Sequence, residues 1–440
     1  MSQLPRYESY KDSGVQWLGE IPSHWDVKQL KFAVTCNDEA LGENTEPDYE
    51  ILYVDISNVS LTEGIKHKEE LLFENSPSRA RRVVKSGDVL VSTVRTYLKA
   101  ITYVESAEEN LIASTGFAVL RPSKKFDSKF IGYWIQSEGM VGNIVANSVG
   151  VSYPAINSTD LVRLPIVELP LSEQKIIADF LDKRLAQVDA LISKQETLLE
   201  KLAEQRVALI SHAVTKGLNP DVEIKESDVE WLGNIPKHWD TKKLKFSVGC
   251  NLKTLTDKTD SDYEILYVDI SNVSLTAGIK NKEELLFENA PSRARRVVKS
   301  GDVLVSTVRT YLKAITYVES AEDNLIASTG FAVLSPLDIL DSKFLGYWIQ
   351  SEGMIGSIVA NSVGVSYPAI NSSVLVSLPI VDIPLEEQKA ISSYLDMEIE
   401  TINRQVKLVN SSIEKLKEYR STLITQVVTG KIDVRNLKVN

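Results

Sequence analysis

The amino-acid sequence predicts an α+β protein built from two copies of one unit, each a mixed globular domain followed by a long helix. Three observations predict it. Shifting the sequence by about 214 residues aligns almost all of it with itself. Each half begins with short β-rich runs, and each ends in a stretch whose apolar residues fall on alternating steps of three and four.

The repeat is direct to read. "WLGEIPSHWD" at Trp17 meets "WLGNIPKHWD" at Trp231, and "NSVGVSYPAINS" at Asn147 recurs unchanged at Asn361. Between Asp48–Leu120 and Asp262–Leu334 four positions differ: Glu63/Ala277, His67/Asn281, Ser76/Ala290 and Glu109/Asp323. A period this long is a duplicated half-molecule rather than a solenoid. The strands come first in each half: "ILYVDIS", "GDVLVSTV", "AITYVES" and "IASTGFAVL", separated by Gly, Asn, Pro and Ser. Next, "DSKFIGYWIQSEGMVGNIV" has helical spacing, with Asp127 or Ser128 as its N-cap.

After "LPLSEQK" the chain has no Pro or Gly until Gly217. Ser172 reads as the N-cap of this segment. Leu185, Val188, Ile192, Leu199, Leu202 and Leu209 form its seam, interrupted by Gln195 and Arg206. In the second copy the seam is Ile399, Ile402, Val406, Val409, Ile413, Leu416, Leu423 and Val427, broken by Arg420. This is a coiled-coil pattern, and roughly 44 residues would span about 66 Å. A helix lying on its own domain is the plainer alternative. Paired antiparallel, the two helices would relate the globular domains by a pseudo-two-fold axis, so that one chain imitates a symmetric dimer. Duplex DNA with inverted half-sites suits such a geometry.

Composition bounds the function. No apolar run approaches 18 residues, so no membrane span is expected. The opening "MSQLPRYESYKDSG" lacks an apolar signal core. The two cysteines, Cys36 and Cys250, form no CxxC pair, which points to a reducing, cytoplasmic setting without a disulfide framework or structural zinc. The net charge of −11 counts against nucleic acid, unless the basic residues are gathered on one face.

They are gathered. Arg79, Arg81, Arg82, Lys85, Arg95 and Lys99 face only Asp88 in sequence, with Tyr97 among them. The copy offers Arg293, Arg295, Arg296, Lys299, Arg309, Tyr311 and Lys313. Arginine and lysine neutralise phosphates, and arginine can also bond guanine in the major groove. Arg95 falls at a strand end or loop, where a reading residue can protrude. The second candidate is the "NSVGVSYPAINS" loop, with Ser152 and Tyr153, and Ser366 and Tyr367 in the copy. A solvated charged face and a structural turn are the competing readings of these two segments.

Catalytic patterns are absent. No GxxxxGK[ST] or GxGxxG occurs, and "PDVEIK" at Pro220 reads as linker because its carboxylates are too close in sequence to hold a metal jointly. His24 and His238 lack ligand-spaced neighbours, and the six tryptophans read as packing. The chain is expected to bind rather than catalyse.

At this point "WLGEIPSHWDVKQLK", a variable region and "GVSYPAINSTDLVRLPIVELPLSEQKIIADFLDKRLAQVDALI" together resemble the specificity subunit of Type I restriction–modification systems. The resemblance covers essentially the whole chain. It implies target-recognition domains over 1–170 and, after a linker, within 217–384, with one spacer helix over 171–216 and a second spacer helix with a C-terminal tail over 385–440. It further implies double-stranded DNA, two modification (methyltransferase) subunits and restriction subunits as partners. S-adenosylmethionine, ATP and Mg would be held by those partners and no cofactor by this chain. Family domains of this kind usually differ from each other; here they are nearly identical, so the bipartite target is expected to be palindromic or nearly so. A two-headed coiled-coil scaffold without DNA readout is the alternative.

Overall fold

The computed structural model describes residues 5–437. The expected outer domain limits at 1 and 440, and the first four residues of the polar opening segment, lie outside them. The chain forms two compact units, one made of residues up to Gln195 together with those from Ser411 onward, the other of Glu196–Asn410.

In unit 1 two four-stranded sheets are stacked. The inner sheet orders Val34–Cys36, Phe117–Pro122, Val89–Ser92 and Ile101–Tyr103, all antiparallel. The outer sheet orders Glu69–Leu72, Glu50–Val54, Leu111–Ser114 and Ala80–Val83, with its central pair parallel. Alternation explains the layering. Leu90, Phe117 and Val119 point toward the outer sheet, joining Val54, Leu111 and Ala113. Val89, Val91, Ala118 and Leu120 point the other way, onto Phe130, Ile131 and Trp134. A strand buried on both faces is apolar at every position, and "VLV" is.

The run expected as one helix is two, Ser128–Gln136 and Glu138–Ala146. Asp127 caps the first, accepting from Phe130 N–H at 3.0 Å. Ser137 breaks the run with an extended backbone (ψ 145°) and is itself buried, its hydroxyl donating to Trp134 C=O at 2.7 Å. The bend brings Gly139 against the indole of Trp17, where a Cβ would sit 2.1 Å from a ring carbon. Trp25 and Trp134 are fully buried, in keeping with packing roles.

The first long helix is Leu171–Lys216 and the second Leu385–Val428. Ser172 is not the cap of the first: it lies one residue inside the helix, and the Pro170 carbonyl accepts from both Glu173 and Gln174 N–H. In unit 1 the start of the first helix lies beside the end of the second. Glu173 accepts from Trp25 Nε1 at 3.2 Å, and Trp25 lies against Gly430. Sixteen residues along, Asp189 accepts from Arg420 Nε at 3.0 Å. Advancing on one helix means retreating on the other, so they run antiparallel. Unit 2 is built the same way: Gly217 lies against Trp239 and Glu387, while Arg206 lies beside Gln350 and Tyr347, the latter bonded to Asp396 at 2.6 Å. The seam residues are the buried stripe: Leu185, Val188, Leu202, Ile399, Ile402, Val409, Ile413, Leu423 and Val427 are buried, and Ile192, Leu199, Leu209, Val406 and Leu416 half-buried. Among the described residues no helix is long and apolar enough to cross a membrane.

Unit 2 repeats the sheets strand for strand, from Val248–Cys250 to Phe331–Pro336 in the inner one and from Glu264–Val268 to Leu325–Ser328 in the outer.

Candidate nucleic-acid interface

The strand Val89–Ser92 ends where Thr93 Oγ1 donates to Gly116 C=O at 2.9 Å. The chain then turns through Arg95, a single 3₁₀ turn at Thr96–Leu98, and Lys99. Arg95 and Lys99 both take the left-handed conformation, at φ 51° and 52°, as do Arg309 and Lys313 at 50° and 49°. For a side chain with a Cβ this costs of order 1 kcal/mol each, so the turn is held by its surroundings.

Those surroundings are the second candidate segment. Val149 and Ala155 exchange backbone hydrogen bonds of 2.8 and 3.0 Å, closing a tip over Gly150–Pro154. Ala155 also bridges Val94, Ile156 N–H donates to Thr93 C=O at 2.9 Å, and Thr96 Oγ1 lies 2.8 Å from Ser148 Oγ. Two segments read separately in the sequence are thus one surface. Its centre is the Arg95 guanidinium, 4.8 Å above the Tyr153 ring; Arg309 stands at 4.8 Å over Tyr367. A cation stacked on tyrosine keeps its edge N–H groups free to bond a ligand. Tyr97 and Leu98 are half exposed beside it, as are Tyr311 and Leu312. Ser152 and Ser366 lie exposed in the tips.

A concavity of about 520 Å³ adjoins Arg95 and Tyr153, lined also by Asp55, Arg79 and Thr115. Here Arg79 donates to the Tyr53 hydroxyl at 3.0 Å and pairs with Asp55. Arg293 does the same with Tyr267 at 3.0 Å and with Asp269. These hydrogen bonds raise the pKa of both arginines, so both stay charged. Asp55 ends the apolar run "ILYVD", a position from which a carboxylate at a strand end can be anticipated, but its partner cannot.

The rest of the basic segment goes elsewhere. Arg81 lies over Phe73 at 4.7 Å and Arg295 over Phe287 at 4.6 Å. Arg82 and Arg296 bridge Ala40 and Thr254, and their Nε atoms are buried without a partner among the described residues. Lys85 precedes the strand Val89–Ser92 whereas Arg95 follows it, so the two lie toward opposite ends of the inner sheet. Lys85 pairs with Glu39, Glu39 accepts from Arg121 at 2.6 Å, and Arg121 holds the buried Asp88 through two bonds of 2.9 Å. In unit 2 Ser335 replaces Arg121 and Lys253 replaces Glu39. A cavity of about 280 Å³ opens there, lined by Lys253, Lys299, Asp302 and Ser335. Burial pushes the Asp302 carboxyl above its ordinary pKa.

His24 and His238 lie 2.8 and 3.0 Å from Glu173 and Glu387, and no group of three or more metal-ligating side chains occurs among the described residues.

Comparison with known proteins adds three findings. The family described as Type I restriction modification DNA specificity domain matches residues 45–201 and 236–415. The MjaVIII type I restriction enzyme specificity subunit of Methanocaldococcus jannaschii is 23% identical over 424 residues, covering 95% of each chain. Among solved structures, a chain described under complex assembly and conformational transition of the type I R-M system superposes with a TM-score of 0.70 at 23% identity, covering 93% of this chain and 98% of that one. The HsdS subunit from Thermoanaerobacter tengcongensis gives 0.52 at 23% identity, over 94% and 98%.

Proposed function

Because this chain belongs to the type I restriction–modification DNA specificity family, whose subunits recognise DNA and leave catalysis to other chains, we propose that its two units read one and the same half-site in inverted order. The observation that carries this reading is the pair of matching loop surfaces. Arg95, Tyr97, Lys99, Ser152 and Tyr153 in unit 1 have the identical set Arg309, Tyr311, Lys313, Ser366 and Tyr367 in unit 2. Each set stacks its arginine on its tyrosine at the same distance.

Identical readers select identical base pairs. The antiparallel sense of the long helices within each unit supports an inverted order, hence a palindromic or nearly palindromic target. Arg95 and Arg309 are the base readers of this proposal, since arginine can bond the guanine edge bidentately. Arg79, Arg81 and Arg82, with Arg293, Arg295 and Arg296, grip the phosphates. Lys85 and Lys299 stand farther from the loops and belong to the phosphate contacts at most. Half-site centres separated by about 34–36 Å would let both units address the same side of the duplex. Two modification subunits would dock on this chain, and restriction subunits would complete the complex.

Mapping methylated adenines across the genome of the host tests the proposal. The expected result is one bipartite motif whose halves are inverted copies. Two unrelated half-sequences would overturn the inverted-repeat reading, and an assembled complex that shows no salt-dependent DNA binding would overturn DNA recognition in favour of a two-headed scaffold.

A further inference from the structure

The loop tip carries a residue that the reading above leaves without a role. Val151 is 101% exposed and Val365 102%, more than any other large apolar side chain among the described residues. The tip is nonetheless held in place. Val149 and Ala155 close it with two hydrogen bonds, Gly150 turns it at φ 116°, and Ala155 ties it to Val94, one residue before Arg95. A branched valine adds its own stiffness at χ1. Arg95 and Lys99 at the base of the tip form no ion pair among the described residues, so the apolar point is flanked by unneutralised positive charge.

Resting on the half-site reading, we propose that Val151 and Val365 each contact the C5-methyl group of a thymine in the major groove, fixing a thymine at the equivalent position of both half-sites. The charges favour a polyanion as the occupant. The major groove, about 12 Å wide, admits elements as bulky as an α-helix or a two-stranded ribbon, so it has room for a single loop tip closed by one pair of bridging residues, and among the base edges exposed there only thymine presents a methyl group. A narrow minor groove offers no apolar partner of this kind. The flanking arginine and the valine then read neighbouring base pairs, one by hydrogen bonds and one by shape.

The test uses the assembled complex and duplexes carrying its mapped target. Each thymine is replaced singly by uracil, which removes only the methyl group. The wild-type complex is expected to lose about four-fold in affinity at one position in each half-site, the value of one buried methyl group. The double variant Val151→Ala, Val365→Ala should bind thymine and uracil duplexes alike while still preferring the target over a scrambled duplex. Its thermal midpoint should be unchanged, since both side chains lie outside the core. If no uracil substitution weakens the wild type, or if the penalty survives in the double variant, the thymine contact is overturned and the half-site reading stands. If the wild type shows no preference for its target, the half-site reading falls first.

Discussion

Arg95 pays for its position with backbone strain, and the same holds for Arg309. Glycine takes this left-handed conformation freely, so Arg95→Gly is expected to raise the stability of unit 1 by roughly 0.5–1 kcal/mol in denaturant melts, while target discrimination falls. A variant that is less stable would show that the arginine–tyrosine stack outweighs the strain. Asp302 makes the opposite case, a residue left behind by its partner. Its counterpart Asp88 is clamped by Arg121, whereas Ser335 offers Asp302 only a hydroxyl. Burial raises its pKa against the opposing hydrogen bonds of Ser335 and the Lys299 N–H. A carboxyl whose folded pKa exceeds its unfolded value contributes stability below the ordinary value of 3.8, lost as pH rises through the folded value. Asp302→Asn should therefore stabilise unit 2 at neutral pH and leave it unchanged below about pH 3, as unfolding midpoints across pH would record. Glu39, held low by Lys85 and Arg121, works in the reverse sense: its contribution is present above 4.5 and lost as pH falls through its folded value.

At the scale of elements, the polar breaks in the two helix seams are not equivalent. Arg420 is paired with Asp189, but the residue equivalent to Asp189 beside Arg206 is Asn403. Arg206 is half-buried, its Nε has no partner among the described residues, and its contact with Gln350 is long at 3.5 Å. Desolvation lowers its pKa, which marks a charge held at a cost. Arg206→Met keeps the stem and removes that cost, so it should stabilise unit 2 by about 1–2 kcal/mol in thermal or denaturant unfolding. Destabilisation would mean that Arg206 has a compensating partner. The broken helix around Ser137 shows another limit of periodicity. Apolar spacing continues smoothly across it, and only the buried serine and the close contact between Gly139 and Trp17 force the bend.

At the scale of the whole molecule, each unit is completed by a helical segment from the other repeat, and the reading surfaces are duplicates. Arg95→Ala should relax recognition of one half-site, and Arg309→Ala the other, each by ten-fold or more at one base pair, roughly the worth of a bidentate contact. Binding assays with each half-site altered in turn would check this, and a variant that relaxes both halves equally would count against it. Much of this architecture was legible in the sequence alone. Local periodicity writes strands, seams and turns into neighbouring residues, and self-alignment revealed the duplication, so the element types and their repeat needed no tertiary information. Pairing over distance did need it. That Thr93–Lys99 joins Asn147–Asn157, that Arg79 finds Asp55, and that Lys85 leaves the reading surface for Glu39 depends on sheet order and on which acid folds close to which base. One basic segment in sequence becomes several environments in space, because a strand carries the residues before and after it to opposite ends of a sheet.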